Sequence, residues 1–64
     1  MHLFTVVKYF HDLGHRILIV HRDQITKYPH YLEMRDMAKI IQLSGLTSDD
    51  PYILVGDYRS VWDP

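Results

Sequence analysis

The chain has 64 residues with a formal net charge of −1, 47% hydrophobic and 23% charged side chains, and no cysteine. This length allows one domain (1–64) burying only about 60% of its unfolded surface, and the lack of cysteine excludes disulfides, thiolate metal sites and CxxC redox chemistry while fitting a reducing, cytoplasmic setting. The near-neutral charge gives no global pull toward nucleic acid or acidic membranes, and Lys8, His11 and Arg16 interrupt the apolar N-terminal third, which argues against a membrane span or signal peptide.

The runs LFTVVKYF (3–10) and HRILIVHR (15–22) are rich in β-branched and aromatic residues, with HDLG between them. Together they predict an N-terminal β-hairpin with Asp12 and Leu13 in a type I turn and Gly14 in the left-handed position. A single helix over 3–20 is the rival, weakened by Gly14 and the density of Val and Ile. A three-residue loop would set His11 opposite His15, Tyr9 opposite Ile17, Val7 opposite Ile19 and Thr5 opposite His21. Phe4, Val6, Lys8 and Phe10 would then share the other face with Arg16, Leu18, Val20 and Arg22.

PHYLEMRDMAKIIQLSG (29–45) reads as a helix, with Pro29 suited to its first position and Gly45 to its left-handed end. Tyr31, Met34, Met37, Ala38 and Ile41 would form its apolar face. LTSDDP (46–51) is turn-forming and YILVGDY (52–58) reads as a third strand, leaving residues 57–64 as strand end and tail. The expected fold is thus a small α+β domain of ββαβ order, one helix packed on a three-stranded sheet. A crossover from the second strand to a parallel third strand would leave the first strand central.

Three of the five histidines fall in residues 11–23. On the hairpin reading His11 and His15 face each other at roughly 5 Å and are weak metal candidates. His21 would lie about 20 Å farther along the strand, at roughly 3.3 Å per residue, and could not join them. Two ligands do not complete a structural zinc site, so no metal and no cofactor is expected.

His21-Arg22-Asp23 spells the tripeptide of the protein-kinase catalytic loop, but Tyr28 stands where the asparagine belongs. Neither a nucleophile elbow nor a phosphate-binding glycine loop is present. A non-enzymatic protein is therefore expected, with a His/carboxylate metal site or small hydrolase as a minor alternative.

Apolar surface exceeds what one helix covers, since both hairpin faces carry large apolar side chains. Such a surplus, together with tyrosines, Trp62 and arginines of the types that enrich interface hot spots, predicts docking on a partner protein with possible modulation or inhibition of it. The candidate contact residues are Phe4, Phe10, Arg22, Leu43, Tyr58, Arg59 and Trp62; a homodimer burying the same face is compatible. The alternative is a sheet that stacks single-stranded nucleic acid through Phe4, Lys8, Phe10, Arg16 and Arg22.

Overall fold

The computed structural model describes residues 2–56, in which two α-helices and a three-stranded mixed sheet form a small α+β domain. Helix α1 spans Leu3–Asp12, strand β1 Arg16–His21, a 3-10 turn Ile25–Lys27, helix α2 Tyr31–Met37, strand β2 Lys39–Gln42 and strand β3 Tyr52–Gly56. β1 is central, parallel to β2 on one edge and antiparallel to β3 on the other. No helix among the described residues is long and apolar enough to cross a membrane.

The expected N-terminal hairpin does not form; the chain begins with a helix. Leu3, Phe4, Val7 and Phe10 recur at helical spacing and make one stripe, with Val7 fully buried and the other three packed against the core. Thr5, Lys8, Tyr9 and His11 are exposed. Intrinsic propensity disfavours Val and Thr in a helix by at most about 0.7 kcal/mol each. Fully burying one large apolar side chain contributes about 1.5–3 kcal/mol, so the stripe decides the conformation.

Gly14 adopts the left-handed conformation, with φ 87°, but for a different purpose. Its N–H donates to the His11 carbonyl at 2.9 Å, and the His15 N–H donates to the Phe10 carbonyl at 3.1 Å. These are the two bonds of a Schellman helix terminus. The Phe10 ring meets the His15 ring edge-on at 5.9 Å between centroids, closing the motif. HDLG therefore ends a helix, and the cross-strand pairs expected between 5–11 and 15–21 do not exist.

β1 is buried on both faces, as a central strand requires. Ile17 and Ile19 point to the layer of helices and join Val7, Ile25, Met34 and Ala38 in the core. Leu18 and Val20 point to the opposite side.

The helix expected over 29–45 is cut to Tyr31–Met37. Pro29 precedes it, and His30 at its start takes a left-handed φ of 62°. Ala38 is extended (φ −143°, ψ 152°) and buried, and the chain passes into β2. Tyr31, Met34, Met37 and Ala38 keep the core-facing role assigned to them, but Ile41 does not share it. As strand residues, Ile40 pairs with Ile19 and packs on the core, while Ile41 pairs with Val20 on the far side. A helix would have left one of the two out, and the backbone of 39–42 gains a partner in β1 that local periodicity does not reveal. Gly45 is left-handed (φ 91°) beyond β2 and not at a helix end.

The third strand forms over Tyr52–Gly56; the expected residues 57–58 lie outside the described ones. It runs antiparallel to β1 and directly beside it, not parallel to it across a central first strand. With β2 occupying the parallel position on one edge of β1, the chain returns through 43–51 to the other edge.

Candidate functional site

The residues expected to form one contact surface are dispersed. Phe4 is half-buried and stacks on His30, with centroids 4.3 Å apart and planes 25° apart. Phe10 is half-buried against the core and meets Tyr9 edge-on at 5.1 Å. Arg22 is exposed at the end of β1, its Nη1 3.3 Å from Asp49 Oδ1 and its Nε 3.9 Å from Asp23 Oδ1. Leu43 is exposed just past β2, and its N–H donates to the His21 carbonyl at 2.9 Å. Tyr58, Arg59 and Trp62 lie outside the described residues.

The basic and aromatic set proposed for nucleic acid is dispersed too, because 3–10 is a helix and not a strand. Lys8 Nζ donates to Asp12 Oδ2 at 3.0 Å on the exposed side of α1, a bond that lowers the Asp12 pKa. Arg16 begins β1 opposite Gly56. His11 and His15 are exposed on either side of the helix terminus, His11 Nδ1 lying 3.6 Å from Asp12 Oδ1. Among the described residues no cluster of three or more His, Asp or Glu side chains could hold a metal ion.

Two other features have the makings of a site. The first is the face of the sheet turned away from the helices. Strand alternation and the register place Leu18 and Val20 of β1 between Lys39 and Ile41 of β2 and Tyr52 and Leu54 of β3. Both helices and the 3-10 turn contribute to the core on the other side, through Val7, Ile25 and Met34. Tyr52 and Leu54 are 52% and 46% exposed although they flank the buried centre. Among the described positions this face carries no carboxylate. The runs YILVG and RILIV, which place large apolar side chains on both faces of a strand, are the sequence signals that could have located it.

The second is a cavity of about 590 Å³ between the 3-10 turn, α2 and the carboxyl ends of the parallel strands β1 and β2. His21 and Gln42, paired in register at those ends, face the helices with Ile19 and Ile40. Thr26, Tyr31 and Arg35 supply the opposite wall and Asp23 completes the polar lining, with Ile25, Ala38 and Ile40 as its apolar part and Lys39 at its border. The carboxyl ends of parallel strands are where open α/β sheets hold ligands. Nothing in a hairpin reading of 3–22 would have suggested it.

His21 is the one buried polar side chain among the described residues, 8% exposed. Its Nδ1 is sealed off with no hydrogen-bond partner. A buried polar group left in that state costs about 1–3 kcal/mol, which most core positions avoid by being apolar.

Two contacts tie the loop 43–51 to the segment after β1: Arg22 to Asp49, and the Tyr28 hydroxyl to Asp50 Oδ1 at 3.2 Å. Desolvation, followed by the Asp50 hydrogen bond and charge, raises the Tyr28 pKa.

No family model, no curated protein and no solved structure matches this chain.

Proposed function

We propose that the protein is a non-enzymatic docking module that binds a partner protein through the helix-free face of its sheet, in a cytoplasmic setting consistent with a cysteine-free sequence. The observation that carries this reading is the pair Tyr52 and Leu54, half exposed beside buried Leu18 and Val20. A flat apolar surface of this kind is more often a contact surface than a solvated one. Lys39 stands on the face and no carboxylate does among the described positions, so the fitting partner surface is apolar with acidic side chains at its margin. Apolar burial supplies the affinity, and the basic margin sets orientation.

The test uses the full chain to capture a partner, which is then purified and measured directly. Leu54→Lys places a charge in the middle of the face and is expected to abolish binding. Tyr9→Lys, at a residue 60% exposed on α1, is the control and leaves binding intact. The reverse pattern overturns the proposal. Light scattering of the chain alone must also give a monomer, since a dimer dissociated by Leu54→Lys would assign the face to a second copy instead. Loss of affinity with salt is expected to be shallow; a steep loss against single-stranded oligonucleotides would favour nucleic acid.

A further inference from the structure

We propose that the cavity at the carboxyl ends of β1 and β2 is a binding site for a small organic oxyanion, a phosphate or carboxylate head on a compact apolar body. The inference is independent of the docking face, which lies on the other side of the sheet.

Charge points to an anion. The chain as a whole carries −1, yet the cavity lining offers the fixed cation Arg35 against one carboxylate, Asp23, while Lys39 borders the cavity at the start of β2 with its side chain on the other face of the sheet. That carboxylate already lies 3.9 Å from the Arg22 Nε. Arg35 takes part in no ion pair among the described residues. The Arg35 guanidinium instead sits 6.0 Å from the Tyr31 ring centroid, one helical turn away. A cation–π contact of this kind orients the group without neutralising it.

His21 supplies the second observation. Its ring makes no hydrogen bond among the described residues, although it is more than nine-tenths buried and lines the cavity. A neutral imidazole has one N–H and one lone pair. Leaving the lone pair on the sealed Nδ1 puts the N–H on Nε2, the nitrogen free to donate to a ligand. A donor from the strand end and a guanidinium from the facing helix then converge on one head group, with the Thr26 hydroxyl and Gln42 amide as further donors. Ile25, Ala38 and Ile40 offer an apolar surface for the body of the ligand. The volume of about 590 Å³ falls among small-molecule pockets, roughly 300–1,000 Å³.

The full chain, labelled with ¹⁵N, is titrated with phenyl phosphate, benzoate and phenol while amide and imidazole shifts are followed. Phenyl phosphate or benzoate is expected to give saturable shifts at His21, Thr26, Arg35 and Gln42; the tighter of the two identifies the head group. Phenol, with the same ring and no anion, binds roughly tenfold more weakly or not at all. Arg35→Gln, at an exposed position, lowers affinity for the anion by roughly tenfold, the loss of one charge-assisted bond. His21→Leu, read only if its amide spectrum retains the fold, does the same. Equal binding of phenol, unchanged affinity in Arg35→Gln, or shifts centred on exposed Lys8 and Lys27 would each overturn the assignment.

Discussion

Replacing Gly14 with alanine isolates the backbone energy of a single helix terminus. Gly14 has φ 87°, and a Cβ built there meets no atom within 4 Å. The cost is therefore conformational and not steric. An L-residue in the left-handed region is disfavoured by about 1–2 kcal/mol. Alanine also restricts the unfolded chain, which offsets about 0.4–1 kcal/mol. The net expectation is a destabilisation of about 1 kcal/mol, or a Tm lower by about 4–8 °C for a domain this small. Asparagine, which tolerates the left-handed region, should fall between glycine and alanine. A D-alanine at position 14, accessible by chemical synthesis at this length, keeps the entropic gain without the strain and should stabilise. Urea and thermal unfolding followed by circular dichroism measure all four proteins. If L-alanine matches glycine, or D-alanine destabilises, Gly14 is not the left-handed terminus of α1 and the two-bond motif with His11 and Phe10 is wrong.

Met34→Ala removes a fully buried side chain from the centre of the core and is expected to cost about 2–5 kcal/mol. Against a total stability of about 3–10 kcal/mol at this size, urea titration should find the variant largely unfolded or close to it; a loss under about 1 kcal/mol would place Met34 outside the core. His21→Leu removes an unpartnered buried nitrogen and should be neutral or stabilising by up to about 1–3 kcal/mol, the reverse of an ordinary core substitution; marked destabilisation would mean that His21 has a partner. The Lys8 hydrogen bond depresses the Asp12 pKa below its ordinary 3.8, so its stabilising contribution is fully present above that value and is lost as pH falls through the lower folded value. Carboxyl NMR titration of Lys8→Met should show the Asp12 pKa moved back up, and an unmoved pKa would assign the shift elsewhere.

Much of the local chemistry was legible in the sequence. Gly14 and Gly45 both adopt positive φ, as turn-forming glycines between apolar runs should. The β-branched run ending at His21 is a strand, and YILVG is another. Tyr31, Met34, Met37 and Ala38 share the core-facing side that their spacing assigns. The candidate sites were not legible in the same way. A hairpin would group Phe4, Phe10 and Arg22, and a helix over 29–45 would expose Leu43 off its apolar stripe; the helix at 3–12 and the strand at 39–42 remove that grouping. Spacing alone separates His21 from the other histidines, whereas the structure buries it beside Gln42 on the lining of a cavity that Arg35 shares, residues brought there by a crossover.

What the sequence determined by itself was therefore conformation wherever a single residue dominates locally: left-handed glycines, and a cysteine-free chain with enough apolar side chains for one small core. The tertiary structure alone decided whether LFTVVKYF and KIIQ were helix or strand. Both runs are β-branched and also fit a helical stripe, and local preferences among these residues differ by only tenths of a kcal/mol. Burial of Val7 against Ile17 and Ile19, and parallel pairing of Ile40 and Ile41 with β1, are worth more than those preferences. Such contacts join residues far apart in the chain, so the choice between two locally similar conformations was made by whichever partner each run could bury itself against.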